Sequence, residues 1–182
     1  MGVTVEIKGG TRFPNFFKQL ENMKLSVKAG FFGGATNGST GASIPYYAFV
    51  NEFGKTIGVT PKMRAWFHYH DIHLKKDTTH IKIPARPFMR TTAKEQQSHW
   101  VALLAKQVKG KSNDPAAWKG ACYLLGMEMQ ANIQNSIQNG NWVPNAAATV
   151  KLKAAKGKGE PDHPLMDTGD MFAAVKYEVM DK

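Results

Sequence analysis

Cysteine is nearly absent, and the single Cys122 excludes both an intrachain disulfide and a cysteine-built metal knuckle. Cys122 falls in an apolar helical pattern, where a thiol serves as a small buried hydrophobe. Long apolar runs are missing as well: nothing approaches the roughly 18 consecutive apolar residues of a membrane span. The opening MGVTVEIKGG has neither the basic start nor the apolar centre of a signal peptide. The expectation is a soluble chain, made in the cytoplasm, without membrane contact. Met1-Gly2 does not open a myristoylation motif, because Glu6 stands where Ser or Thr is required.

Signatures of catalysis are also lacking. Neither GxSxG, HExxH nor GxxxxGK[ST] occurs. GFFGGATNG at 30 to 38 is glycine-rich but lacks GxGxxG. No catalytic, cofactor-binding or metal-binding residue is assigned, and no enzyme activity is expected. Internal repeats and a domain boundary are not evident, so residues 1–182 read as one domain.

Positive charge is in surplus. Twenty-four Lys and Arg against 14 Asp and Glu give a formal charge of +10, which favours anionic surroundings, either nucleic acid or an acidic protein. With 42% hydrophobic residues the composition is globular, and 17 Gly with 9 Pro imply many turns.

Val3, Val5 and Ile7 alternate as a strand; Phe13, Phe16, Phe17, Leu20 and Met23 predict a short helix over 13–24. Residues 25–32 alternate again and run into GGATNGSTGAS at 33–43, read as a flexible loop. Tyr46, Val50 and Phe53 predict a helix over 44–54, closed by Gly54. Trp66, His68, His70 and Ile72 alternate with Phe67, Tyr69 and Asp71, which predicts a β-hairpin over 66–83. Two long helices follow. One spans 88–108 along Trp100, Leu103, Leu104 and Val108. The other is capped by Asp114, begins at Pro115, and runs along Trp118, Cys122, Leu125, Met129, Ile133 and Ile137 to Gly140. A basic loop over 149–164 precedes a final strand through Val175, Tyr177 and Val179. The class is α+β: a small, mainly antiparallel sheet packed on one face by two long helices, with extended loops and a hairpin insertion.

Three groups of polar residues invite chemistry. His68, His70, His73 and Asp71 concentrate metal-ligating side chains, but on a strand His68 and His70 face one way and Asp71 and His73 the other, so they do not converge. A mixed polar and aromatic strand is the competing reading. Lys151, Lys153, Lys156 and Lys158 lie without interleaved aromatics; they read as a solvated loop or as a contact to phosphate or an acidic subunit. Asp167 and Asp170 flank Thr168-Gly169 as a turn or cap rather than a catalytic pair.

YYAFVNEFG at 46 to 54, IPARPFMR at 83 to 90, and WVPNAAATVKLK followed by PLMDTGDMFAAVKYEV within 142 to 179 resemble, together and in order, the neck and tail-completion proteins of tailed bacteriophages, the head–tail joining or minor tail family. The pieces that match are an aromatic-Ala-x-x-x-Glu-Phe-Gly segment, a Pro-Ala-Arg-Pro-Phe turn and a Leu-x-Asp-Thr-Gly turn. The resemblance spans roughly 25 to 180. Residues 55–82 are longer and richer in aromatics and His than the family's simple connection, and residues 1–24 look added. The residues that carry the resemblance are Tyr47, Glu52, Phe53, Gly54, Pro84, Arg86, Pro87, Phe88, Arg90, Trp142, Pro144, Asp167, Thr168 and Gly169.

On physical grounds Pro84 and Pro87 hold the chain extended, while Arg86 and Arg90 donate to a carboxylate such as Glu52 or to a neighbouring subunit. Phe53 and Phe88 are expected to bury beside them, and Gly54 and Gly169 to take positive φ. The resemblance implies a ring-forming virion protein at the head–tail junction. Its partners would be other copies of itself and neck, portal-adaptor, tail-tube or tail-terminator proteins. A tail terminator and a basic DNA-binding accessory protein are the alternatives.

Overall fold

Leu25, Val27, Ala29 and Phe31 point to one side of a strand, and that side is the core: Ala29 and Phe31 are buried, with Leu25 and Val27 packed against them. The strand is part of a computed structural model that describes residues 2–3, 25–38, 40–111, 114–157 and 160–181. In chain order the elements are β1 (Gly2–Val3), β2 (Leu25–Gly30), α1 (Ile44–Phe53), β3 (Lys55–Gly58), α2 (Pro61–Tyr69), β4 (His80–Ile83), α3 (Phe88–Gln107), α4 (Pro115–Asn139), α5 (Ala147–Ala155), α6 (Asp170–Ala173) and β5 (Lys176–Asp181). The fold is α+β.

The main sheet runs β1-β2-β5 and is antiparallel throughout, with Val3 opposite Ala29, Leu25 opposite Asp181 and Gly30 opposite Lys176. The last strand thus returns to the sheet begun at the N-terminus. Residues 4–24, including most of the expected first strand and the helix over 13–24, lie outside the described residues.

α4 covers β2 and β5, and α3 packs along α4. Trp100, Leu104 and Val108 from α3 and the residue after it meet Trp118, Leu125, Met129, Ile133 and Ile137 from α4 in one buried cluster. Each such side chain contributes about 1.5–3 kcal/mol on burial. The helix lies so close to β5 that a Cβ at Gly126 would stand 2.3 Å from the Tyr177 ring. Trp100 Nε1 donates to Asn132 Oδ1 at 2.7 Å, which satisfies the one polar atom of the indole.

Three expectations are corrected. The expected hairpin over 66–83 is absent: only its second strand, β4, forms, and it pairs antiparallel with β3 across the intervening α2, with Lys55 opposite Ile83 and Gly58 opposite His80. Residues 61–69, expected in part as strand, form α2. Thr60 caps it by accepting the Met63 N–H at 3.2 Å, and Pro61 occupies its first turn. No residue of α2 is fully buried, so no core contact fixes a period of two.

The basic loop over 149–164 begins instead as α5, an alanine-rich segment whose residues favour helix. The 33–43 segment carries its own hydrogen bonds. Thr36 bridges Ser43, Asn37 N–H donates to Ala42 O at 2.8 Å, and Gly41 N–H donates to Asn37 O at 2.8 Å. Among the described residues no helix is long and apolar enough to cross a membrane.

Candidate functional site

Residues 46–54 and 83–90 and the start of the third stretch, 143–145, meet around the N-terminus of α3, whereas the Asp167-Thr168-Gly169 turn lines a polar cleft with Gln138 and His163. Helix α3 begins at Phe88; Pro87 at its N-cap supplies no side-chain hydrogen bond, and the first turn has no acid, leaving N–H groups and a partial positive charge to be met from elsewhere. Glu52, near the end of α1 and 1% exposed, meets them. Its Oε2 accepts the Met89 N–H at 2.9 Å, and its Oε1 accepts the Arg90 N–H at 3.1 Å and Arg90 Nε at 2.9 Å. Arg90 Nη2 also donates to the Glu52 carbonyl at 2.9 Å.

Gly54 makes the close approach possible. Its φ is 74°, and a Cβ there would stand 2.9 Å from both Ala85 N and Ile83 O and 3.3 Å from the Pro84 carbonyl carbon. Gly169, just before α6, also has positive φ, 82°. Both glycines therefore adopt the conformation expected of them.

Arg86 takes a different partner from the carboxylate anticipated. Buried at 6% exposure, it donates from Nε to Val143 O at 2.8 Å, from Nη1 to Asn51 Oδ1 at 3.2 Å, and from Nη2 to Pro144 O and Asn145 Oδ1, each at 3.3 Å. Its own N–H donates to Asn51 O at 2.6 Å. Burial pulls the guanidinium below its ordinary pKa, yet arginine remains charged in proteins. Trp142 Nε1 donates to Ser136 O at 2.7 Å, holding this segment against the end of α4. Arg86 and Arg90 thus divide the bracing: one joins α1 to residues 143–145, the other joins α1 to α3.

Phe88 is fully buried and meets Phe31 edge-on at 6.1 Å. The expected burial of Phe53 is corrected: it stays 43% exposed, with its ring 4.9 Å from Phe49 and the Arg90 guanidinium over it at 4.6 Å. The core-facing residues of α1 are Ile44, Ala48, Val50 and Glu52, which turns Tyr46, Phe49 and Phe53 outward. Tyr47 is exposed too, and its carbonyl accepts Asn51 Nδ2 at 2.9 Å. Lys55 sits over the Tyr46 ring at 5.1 Å. α1 therefore presents aromatic rings with Lys55 and Arg90 at their edge.

A second exposed apolar surface lies on α4, where Tyr123, Leu124 and Met127 stand outside the core. Gly120 and Ala131 are exposed with them, and Lys119 and Glu128 are the helix's only charged residues.

The lysines singled out by spacing are engaged within the chain. Lys151 donates to the carboxylate and carbonyl of Asp71, and this bond is the first cause holding the exposed Asp71 carboxyl below its ordinary range. Lys156 pairs with Asp167. Lys153, expected in a solvated loop, is buried and donates to His163 O at 2.7 Å and to Met166 O. Burial lowers its pKa; Asp167 partly offsets this, while Arg86 and Lys156 reinforce it. Lys158 lies outside the described residues.

An open polar cleft of about 680 Å³ is lined in part by Gln138, His163, Asp167, Thr168 and Asp170. Each ring nitrogen of His163 already faces a backbone carbonyl, Pro164 O at 2.7 Å and Gln138 O at 2.6 Å, and Asp170 accepts Asn37 Nδ2 at 2.6 Å. These acids serve local structure.

The histidine geometry is also corrected. With 66–69 helical, His68 Nδ1 stands 3.0 Å from His73 Nδ1. Among the described residues no three His, Cys, Asp or Glu side chains gather as a metal-binding group. Compared with protein-family models, with curated proteins and with solved structures, the chain matches none.

Proposed function

We propose that this chain is a structural subunit of the head–tail connection of a tailed bacteriophage, a neck or tail-completion protein that forms a ring with its own copies and joins the portal side of the capsid to the tail. Its work in this reading is mechanical and involves no turnover. The observation that carries the reading is the pair of unlike apolar surfaces: the cation-edged aromatic face of α1 and the largely uncharged outer face of α4. Aromatic residues and arginine are the side chains that anchor protein interfaces. Ring closure needs two different patches, one meeting the other on the next subunit. The Glu52–Arg90–Arg86 brace adds support, because it ties residues 51–52, 86–90 and 143–145 of the stretches that resemble the phage family together under the α1 face.

The test is complementation between two defective chains. Phe49→Asp with Phe53→Asp disables one face, and Leu124→Asp with Met127→Asp disables the other. In sedimentation and particle imaging, wild type forms closed rings, alone or on added neck or tail components. Each variant alone stays monomeric, and the mixture stops at a dimer joined through the two intact faces. A wild-type chain that stays monomeric with every such component, or a mixture that stays monomeric, overturns the reading. Imaging of intact particles separates a neck station from a tail-terminator station.

A further inference from the structure

The C-terminal end of α2 and the turn after it bring two exposed imidazoles together, tilted at 56° with their Nδ1 atoms adjacent. His68 Nδ1 lies 3.0 Å from His73 Nδ1, with ring centroids 4.9 Å apart. The turn reverses sharply: Asp71 N–H donates to His68 O and Ile72 N–H to Phe67 O, each at 2.9 Å. Asp71 holds φ at 55°, a region that non-glycine residues seldom enter.

The carboxylate at that position stands between two partners. Asp71 Oδ1 stands 3.2 Å from His73 Nε2, and Asp71 is gripped in turn by Lys151 from α5. A carboxylate on Nε2 selects the tautomer with its proton there, leaving the Nδ1 lone pair aimed at His68. Histidines that bind metal show the same arrangement, one ring nitrogen toward the ion and the other N–H on a carboxylate.

We propose that His68 Nδ1 and His73 Nδ1 chelate a late divalent transition-metal ion, with Asp71 as the positioning residue. Two nitrogens each about 2.05 Å from an ion stand about 2.9 Å apart at a right angle and about 3.3 Å apart at the tetrahedral angle. The observed 3.0 Å is nearer the right angle, which suits the tetragonal geometry of Cu2+ or Ni2+, and the general order of affinities puts Cu2+ first. Water completes the coordination, which makes this an open surface site distinct from both apolar faces.

The test titrates the full-length chain with Cu2+ alone, and separately with Ni2+ alone. Calorimetry reads the affinity, and the electron paramagnetic resonance of Cu2+ reads the number of coordinating nitrogens. One ion binds per chain with two imidazole nitrogens. His68→Ala or His73→Ala weakens binding at least ~10-fold and leaves one nitrogen or none, and Asp71→Asn weakens it on the order of 10-fold while both nitrogens remain. His70→Ala and His80→Ala change nothing. Melting curves without metal confirm that the variants fold, and His73→Gln replaces any that does not. Absence of saturable binding to the wild type, or binding that survives His68→Ala with His73→Ala, overturns the site and leaves a plain hydrogen bond between two rings.

Discussion

Arg90 grips Glu52 twice, through Nε on the carboxylate and through Nη2 on the backbone carbonyl. One side chain of α3 therefore fixes both the end of α1 and the acid that caps α3 itself. Glu52→Ala removes the acceptor for two backbone N–H groups and a guanidinium, and the expected loss is about 2–4 kcal/mol. Glu52→Gln keeps one carbonyl acceptor and loses about half as much. Denaturant unfolding of both variants checks the order: a Glu52→Gln variant as stable as wild type would show that the charge contributes nothing beyond its shape, and losses equal to those of Glu52→Ala would show that the retained carbonyl contributes nothing.

Gly54→Ala places a methyl group 2.9 Å from two backbone atoms at a φ of 74°. We expect a loss of at least about 2 kcal/mol. Gly120 offers the contrast: it is helical, and nothing stands within 4 Å of the Cβ position, so Gly120→Ala raises stability by about 0.5–1 kcal/mol. Thermal melts of the two variants should move in opposite directions.

Arg86→Lys keeps the charge but not the planar fork that reaches Asn51, Val143, Pro144 and Asn145 together. The expected cost is about 2 kcal/mol. Hydrogen exchange should quicken at residues 142–145 more than in α4; a uniform change along the chain would contradict the brace.

Burial makes the Lys153 ammonium give up its proton more readily in the folded chain than in the unfolded one. Between the folded pKa and the ordinary value of 10.5, the unfolded state holds more protons, so this residue's contribution to stability rises with pH there. Below that interval the cost of burying the charge is present in full. Lys153→Met lacks the titrating group. The stability of wild type relative to this variant should therefore climb as pH approaches about 10.5, and a flat difference would show that the folded chain does not perturb the group.

The long helices were legible because their apolar residues recur over many turns and because Asp114 and Pro115 mark a start. α2 was not: its alternating Trp66, His68 and His70 fit two periods equally well, and none of them is buried deeply enough to decide. In α5 the lysines masked the alanines, and nothing in the spacing marks Lys153 as the one that turns inward. The pairing of Glu52 with Arg90 could be anticipated from complementary charge. The partners of Arg86 could not, since most are backbone carbonyls, which every residue type supplies. Phe53 was misplaced because a helix with polar and apolar residues on several sides leaves its core-facing direction to the tertiary fold. The approach of His73 to His68 depends on a left-handed turn at Asp71, for which the sequence carries no glycine to give warning.

Lys55 and Ile83 are register partners, so the excursion between them departs from the body and rejoins it at one place, beside Gly54 and Pro84. That geometry makes the whole excursion exchangeable: replacing it with a tight turn, or splicing in a foreign hairpin, imposes no new span on the rest of the chain.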